Sequence, residues 1–168
     1  IEQRGDPGNR FGHTMSGSVN NWLTFQAAAG EIPTFTADWA AYSVIWTRWL
    51  GPITFTLGNN FMVERANWIA GARRLENIHI DGMQFAGIQP RFGYMELHGN
   101  KITVENIKIR GTSGAAQLDH GVYFHAGSDL VLRNFDIDRA GGYGVHLYDE
   151  TKSDDAGYGE VRKYERVL

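Results

Sequence analysis

Three stretches of the chain carry one pattern: Ile78-His-Ile-Asp-Gly-Met-Gln-Phe85, Ile102-Thr-Val-Glu-Asn-Ile-Lys-Ile109 and Leu130-Val-Leu-Arg-Asn-Phe-Asp-Ile137. Each is two short runs of alternating apolar and polar residues joined at one small residue, Gly82, Asn106 or Asn134. The copies start 24 residues apart (78 to 102) and then 28 apart (102 to 130). Alternation rich in β-branched and aromatic residues means strands. A Gly or Asn at the joint suits the left-handed backbone region, where a strand turns a corner without a loop. A second pattern interleaves with the first, at Tyr94–His98, Gly121–His125 and Gly144–Tyr148, with Val122 and Val145 spaced by 23 residues. One coil is therefore three short strands in about two dozen residues, and a fixed period of this size is the mark of a stacked solenoid. The pattern predicts an all-β chain wound as a right-handed parallel β-helix.

"ITVENIKIRG…HGVYFHAGSDLVLRNFDIDRAGGYGVHLYD" resembles the pectate-lyase-like superfamily of right-handed parallel β-helix proteins. Asn106 and Asn134 match its asparagine ladder at the second turn, while Gly82 departs from it. Val19–Phe35, "VNNWLTFQAAAGEIPTF", resembles the run before the first full coils in many polysaccharide lyases of that superfamily. The resemblance spans roughly Val19–Asp149, is strongest over Ile78–Asp149 and weak across Thr36–Ala72. It implies a secreted, periplasmic or extracellular protein acting on an acidic, uronate-containing glycan by β-elimination. It also implies that the first strand and the loops after the third line a carbohydrate groove. A non-catalytic carbohydrate-binding, surface or tailspike-like module stands as the alternative, since a fold specifies chemistry poorly.

Alternation decides which side chains share the outer face. Met95, Leu97, Val122, Phe124, Val145 and Leu147 point into the stack. Two outward columns follow, Glu96–Tyr123–His146 and His98–His125–Tyr148, with neighbouring rungs about 4.8 Å apart. For an elimination, His125 or His146 is the candidate base and Tyr123 or Tyr148 the candidate acid. Arg91 or Arg139 would meet the substrate carboxylate. Glu96, His98, Asp119, His120 and Tyr143 complete the expected substrate-binding set, with His120 placed equally well inside the coil as a satisfied core group. Lys101 and Arg110, the cationic bases available nearby, fall off this face. Elsewhere the register stacks Lys108 on Asp136, Arg110 on Asp138, and Asp81 on Glu105 on Arg133, a solvated ladder of charges.

Asp149, Asp154 and Asp155 lie in an acidic run whose oxygen ligands suit Ca²⁺; many lyases of the superfamily use that ion, so the cofactor expectation is none or Ca²⁺. Residues 1–72 read as an irregular, capping N-terminal part of a single domain covering 1–168, and 73–168 as regular coils. Within the first part "ADWAAYSVIWTRWLG" (Ala37–Gly51) is expected to form a short helix or a long insertion that caps the solenoid. Formal net charge is −3 with scattered Lys and Arg, which argues against a nucleic-acid partner. No apolar run reaches the roughly 20 residues of a membrane helix, and the absence of cysteine removes thiolate chemistry. The chain opens at Ile1 without a leader and ends on an alternating run, so it is expected to belong to a longer solenoid or to self-associate through its ends.

Overall fold

The computed structural model describes residues 10–56, 60–64, 75–87, 93–111, 120–126 and 129–148. They form a right-handed parallel β-helix with no helix among the described residues. One sheet stacks, in order, β1 (Arg10–His13), β4 (Asp38–Tyr42), β6 (Phe61–Glu64), β8 (Gly93–His98), β10 (His120–Ala126) and β12 (Val145–Leu147). The other stacks β2 (Leu23–Gln26), β5 (Ile45–Phe55), β7 (Glu76–Gly87), β9 (Asn100–Gly111) and β11 (Leu130–Asp138), with β3 (Thr34–Phe35) paired to β5. Every pairing between these strands is parallel.

The repeat maps onto this winding. The second and third strands of each coil are one continuous strand bent at the joint, where Gly82, Asn106 and Asn134 have φ of 74°, 55° and 53°. Ile78, Ile80, Met83 and Phe85 on β7 are buried, as are Ile102, Val104, Ile107 and Ile109 on β9. Their counterparts on β11, Leu132, Phe135 and Ile137, are only partly buried because β11 is the edge of its sheet. Inside the coil, Phe35, Phe55 and Phe85 stack rung on rung at 5.3 and 5.1 Å. Such offset stacks add about 0.5–1.5 kcal/mol each beyond area burial.

The asparagine ladder is real and has a defined end. Asn134 Nδ2 donates to Asn106 Oδ1 at 3.0 Å, and Asn106 Nδ2 donates to Asp81 Oδ1 at 2.7 Å. Gly82 breaks the run, and Gly51 packs against it: a Cβ on Gly82 would sit 3.2 Å from the Gly51 Cα, and one on Gly51 only 2.2 Å from the Gly82 carbonyl oxygen. Asp81 takes over as the terminal acceptor. Asn106→Ala removes two side-chain hydrogen bonds and leaves a left-handed residue without its tolerant side chain. It is expected to lower unfolding free energy by about 1–3 kcal/mol, and Asn106→Gly by less; urea unfolding of both variants checks the order.

Two other corners are turned the same way by chemically unrelated residues. Trp46, Asn77, Lys101 and Asp129, at φ of 50–57°, occupy successive rungs at the turn from the first sheet into the second. Gly87, Gly111 and Arg139 line up where the chain leaves the second sheet, and Gly87 and Arg139 have positive φ.

The N-terminal third departs from expectation. Ala37–Gly51 is neither helix nor insertion: it supplies β4 and most of β5, with a corner at Ser43 (φ 52°). Trp39 and Trp49 are core residues at 4% and 0% exposure instead of caps on the solenoid. The inward alternation on β5 is hidden because one of its core positions is Thr47, whose hydroxyl donates to the Ile45 carbonyl at 3.1 Å. The coils therefore begin well before residue 73.

The charge ladder keeps its predicted register, with Lys108 opposite Asp136 and Arg110 opposite Asp138. The ion pair itself runs diagonally, from Arg110 to Asp136. That hydrogen bond holds the Asp136 carboxyl below its ordinary 3.8. The pair's small contribution is present above the usual carboxylate range and is lost as pH falls through it.

Candidate functional site

The first predicted column is formed as expected. Glu96 on β8 pairs in register with Tyr123 on β10, and Tyr123 with His146 on β12. The second column is interrupted. A bulge after Phe124 sets His98 opposite Ala126 instead of His125. One inserted residue displaces everything beyond it along the ladder, so His98 and His125 are not rung neighbours. The His125 side chain lies outside the described part of the structure, as do Arg91, Asp119, Asp149, Asp154 and Asp155.

The column is also less exposed than alternation suggests. Glu96 is 6% exposed and accepts a hydrogen bond from Asn60 Nδ2 at 3.2 Å; Tyr123 is 8% exposed. Both are on the face away from the core stripe of Met95, Leu97, Val122 and Phe124, and that face is itself covered at these rungs, as Met62 shows one rung earlier. Asn60 is the contact that sequence reasoning missed. It lies 36 residues before Glu96, and no local pattern signals it.

His120 is buried, but against the outward column instead of inside the coil, and it belongs to the site. It is 3% exposed and its ring stacks against Tyr123 and Tyr143, each at 5.4 Å. Gly121 makes this possible. A Cβ there would lie 2.4 Å from the Gly144 carbonyl oxygen, so only glycine lets β10 lie this close to the chain at 143–144. Gly121 N–H donates to the Tyr143 carbonyl and Val122 N–H to that of Gly144, both at 2.9 Å. The same close approach brings the Tyr143 N–H to His120 Nδ1 at 3.0 Å, and His120 Nε2 lies 2.9 Å from His146 Nδ1.

These contacts fix the protons. Because His120 Nδ1 accepts from a backbone amide, a neutral His120 carries its proton on Nε2. That N–H donates to His146 Nδ1, so a neutral His146 carries its own proton on Nε2. Neither ring takes up a second proton without breaking one of the two hydrogen bonds. His146 is thereby set as a donor at Nε2, with its Nδ1 lone pair already engaged. In this state it is not a general base.

Around this pair the aromatic rings form a shallow shelf. Tyr143 and Tyr148 are 63% and 42% exposed, and both lie against His146, at 5.1 and 5.8 Å. Tyr148 also stacks on Tyr123 at 6.0 Å and 25°, and its N–H donates to the Phe124 carbonyl at 2.8 Å. Arg139 stands at the corner before this stretch, its Nε donating to Asp138 Oδ2 at 3.1 Å. Two exposed phenol rings, a donor between them and a rigid buried base make a surface suited to stacking on a flat, hydroxylated ligand. Compared with known proteins, the chain matches no family model, no curated protein and no solved structure.

Proposed function

We propose that this β-helix recognises a polysaccharide through the shelf formed by Tyr143, His146 and Tyr148. The observation that carries this reading is the pairing of two exposed tyrosine rings with a histidine whose tautomer is fixed from beneath by His120. Sugar rings present apolar C–H faces that stack on phenols and hydroxyl or carboxylate oxygens that accept from an N–H. The parallel β-helix itself, which the resemblance to pectate-lyase-like proteins implied, supports a carbohydrate ligand by analogy of fold alone.

Cleavage of an acidic glycan by β-elimination has less support. It requires a base at the sugar C5: His146 has its Nδ1 lone pair engaged by His120, and the side chain of His125, the other candidate base, lies outside the described residues. Of the two acid candidates, Tyr123 is nearly buried and Tyr148 is 42% exposed. Recognition without bond cleavage is therefore the reading the geometry favours. Affinity electrophoresis of the chain against pectate, alginate and glycosaminoglycans, run beside absorbance near 235 nm, separates the two. Retardation by at least one polymer without new absorbance is expected. No retardation by any polymer would remove the recognition reading; absorbance that rises with the wild type and not with His146→Ala would replace it with the enzymatic one.

A further inference from the structure

We propose that His79, Asp81 and Glu105, on the outer face of the second sheet, form a binding site for a divalent transition-metal ion of the zinc class. His79 and Asp81 are two residues apart on β7, on either side of the inward Ile80, so both side chains leave the sheet on the same side. Parallel pairing sets Glu105 of β9 directly opposite Asp81. One donor atom from each of the three residues lies within 4.8 Å of the others, and all three side chains are half-buried. His79 Nε2 and Glu105 Oε1 are already 2.8 Å apart. Ligands about 2.0–2.2 Å from a shared zinc ion are about 3.0–3.5 Å from one another, so small side-chain rotations convert this cluster into a chelate.

The donor set selects the ion. One imidazole nitrogen and two carboxylates suit zinc and its neighbours, whereas Ca²⁺ requires six to eight oxygens. Outer contacts orient the ligands, as metal sites require: Asn106 Nδ2 holds Asp81 Oδ1 at 2.7 Å, and Asn106 is itself held by the ladder from Asn134. Two cations flank the cluster. Arg48 lies one rung from His79, its Nε donating to Thr24 Oγ1 at 2.8 Å. Arg133 Nη1 stands 3.8 Å from Glu105 Oε2, with its side chain 56% exposed. At that exposure the Arg133 pair is a weak competitor that can swing into solvent when an ion arrives. Three protein ligands leave at least one position on the ion for water or an external donor. The site lies on the second sheet, and the tyrosine–histidine shelf is built from β10, β12 and the chain before β12 on the first, so the inference stands independently of the glycan reading.

The test is calorimetric titration of the tag-free, metal-stripped chain with Zn²⁺, followed by Co²⁺ absorption spectra and thermal unfolding. One equivalent should bind, raising Tm by about 5–10 °C at a hundredfold excess over Kd. His79→Gln, Asp81→Asn and Glu105→Gln, each checked for folding by circular dichroism, should weaken binding at least tenfold. Arg133→Ala should tighten it, because a competing cation is removed; a purely ionic ladder gives no metal effect there. Failure of the wild type to bind, undiminished affinity in the three ligand variants, or affinity unchanged or weakened in Arg133→Ala would overturn the proposal.

Discussion

Trp49→Ala should lower the unfolding free energy by about 3–5 kcal/mol, the range for deleting a large aromatic from a packed core. Trp49 is fully buried and joins three neighbouring strands: it stacks on Phe25 of β2 at 5.8 Å and meets Phe61 of β6 edge-on at 5.1 Å and Trp39 of β4 at 6.5 Å. Removing the indole leaves a cavity that these rings, fixed to separate hydrogen-bonded rungs, cannot all close. Trp49→Phe should cost distinctly less, because part of the stack survives. Urea unfolding followed by far-ultraviolet circular dichroism measures both. A loss below about 1 kcal/mol for Trp49→Ala would mean that the N-terminal rungs are not packed as a solenoid.

Tyr143→Ala and Tyr148→Ala should each weaken polysaccharide binding roughly tenfold, and the double variant roughly a hundredfold if the two rings act independently. Tyr143 is 63% and Tyr148 42% exposed, so their removal should move the unfolding midpoint less than loss of a buried ring does. Tyr123→Ala provides the contrast. Its ring is buried and in contact with His120, His146 and Tyr148, so that variant should lose stability as well as binding. Isothermal titration with whichever polymer retards the wild type reads all four proteins. Unchanged affinity in the double variant would move the binding surface elsewhere.

What could be read in advance follows from where the repeat is clean. The four inward positions on β7 and β9, and the left-handed joints at Gly82, Asn106 and Asn134, were legible because small or apolar residues recur there at fixed offsets. The register of Glu96, Tyr123 and His146 followed from the same alternation. The N-terminal rungs resisted because β4 is buried on both faces, with Ala40 and Ala41 each at 0% exposure, and β5 uses Thr47 as a core residue. Alternation fades in parallel sheets covered on both sides. The corner formed by Trp46, Asn77, Lys101 and Asp129 has no common chemistry to recognise, since stacking on neighbouring rungs imposes the conformation.

The bulge between Phe124 and Ala126 has no sign in the sequence of either strand and alters only how the two pair. Burial of Glu96 depends on Asn60, and the state of His146 on a backbone amide of Tyr143 that meets His120; none of these contacts is local in sequence. The Asp81–Glu105 pairing was legible, but the place of His79 beside it became significant only once the side-chain distances were known.

The most direct test of the site is the protonation of its two histidines, read from long-range ¹H–¹⁵N correlations of the imidazole rings near neutral pH. The hydrogen-bond chain requires the neutral rings of His120 and His146 both to carry the proton on Nε2, with His146 changing tautomer when His120→Ala removes its donor. A proton on Nδ1 of His120 or of His146 in the neutral rings would contradict the hydrogen-bond chain from Tyr143 through His120 to His146 and the recognition surface built upon it.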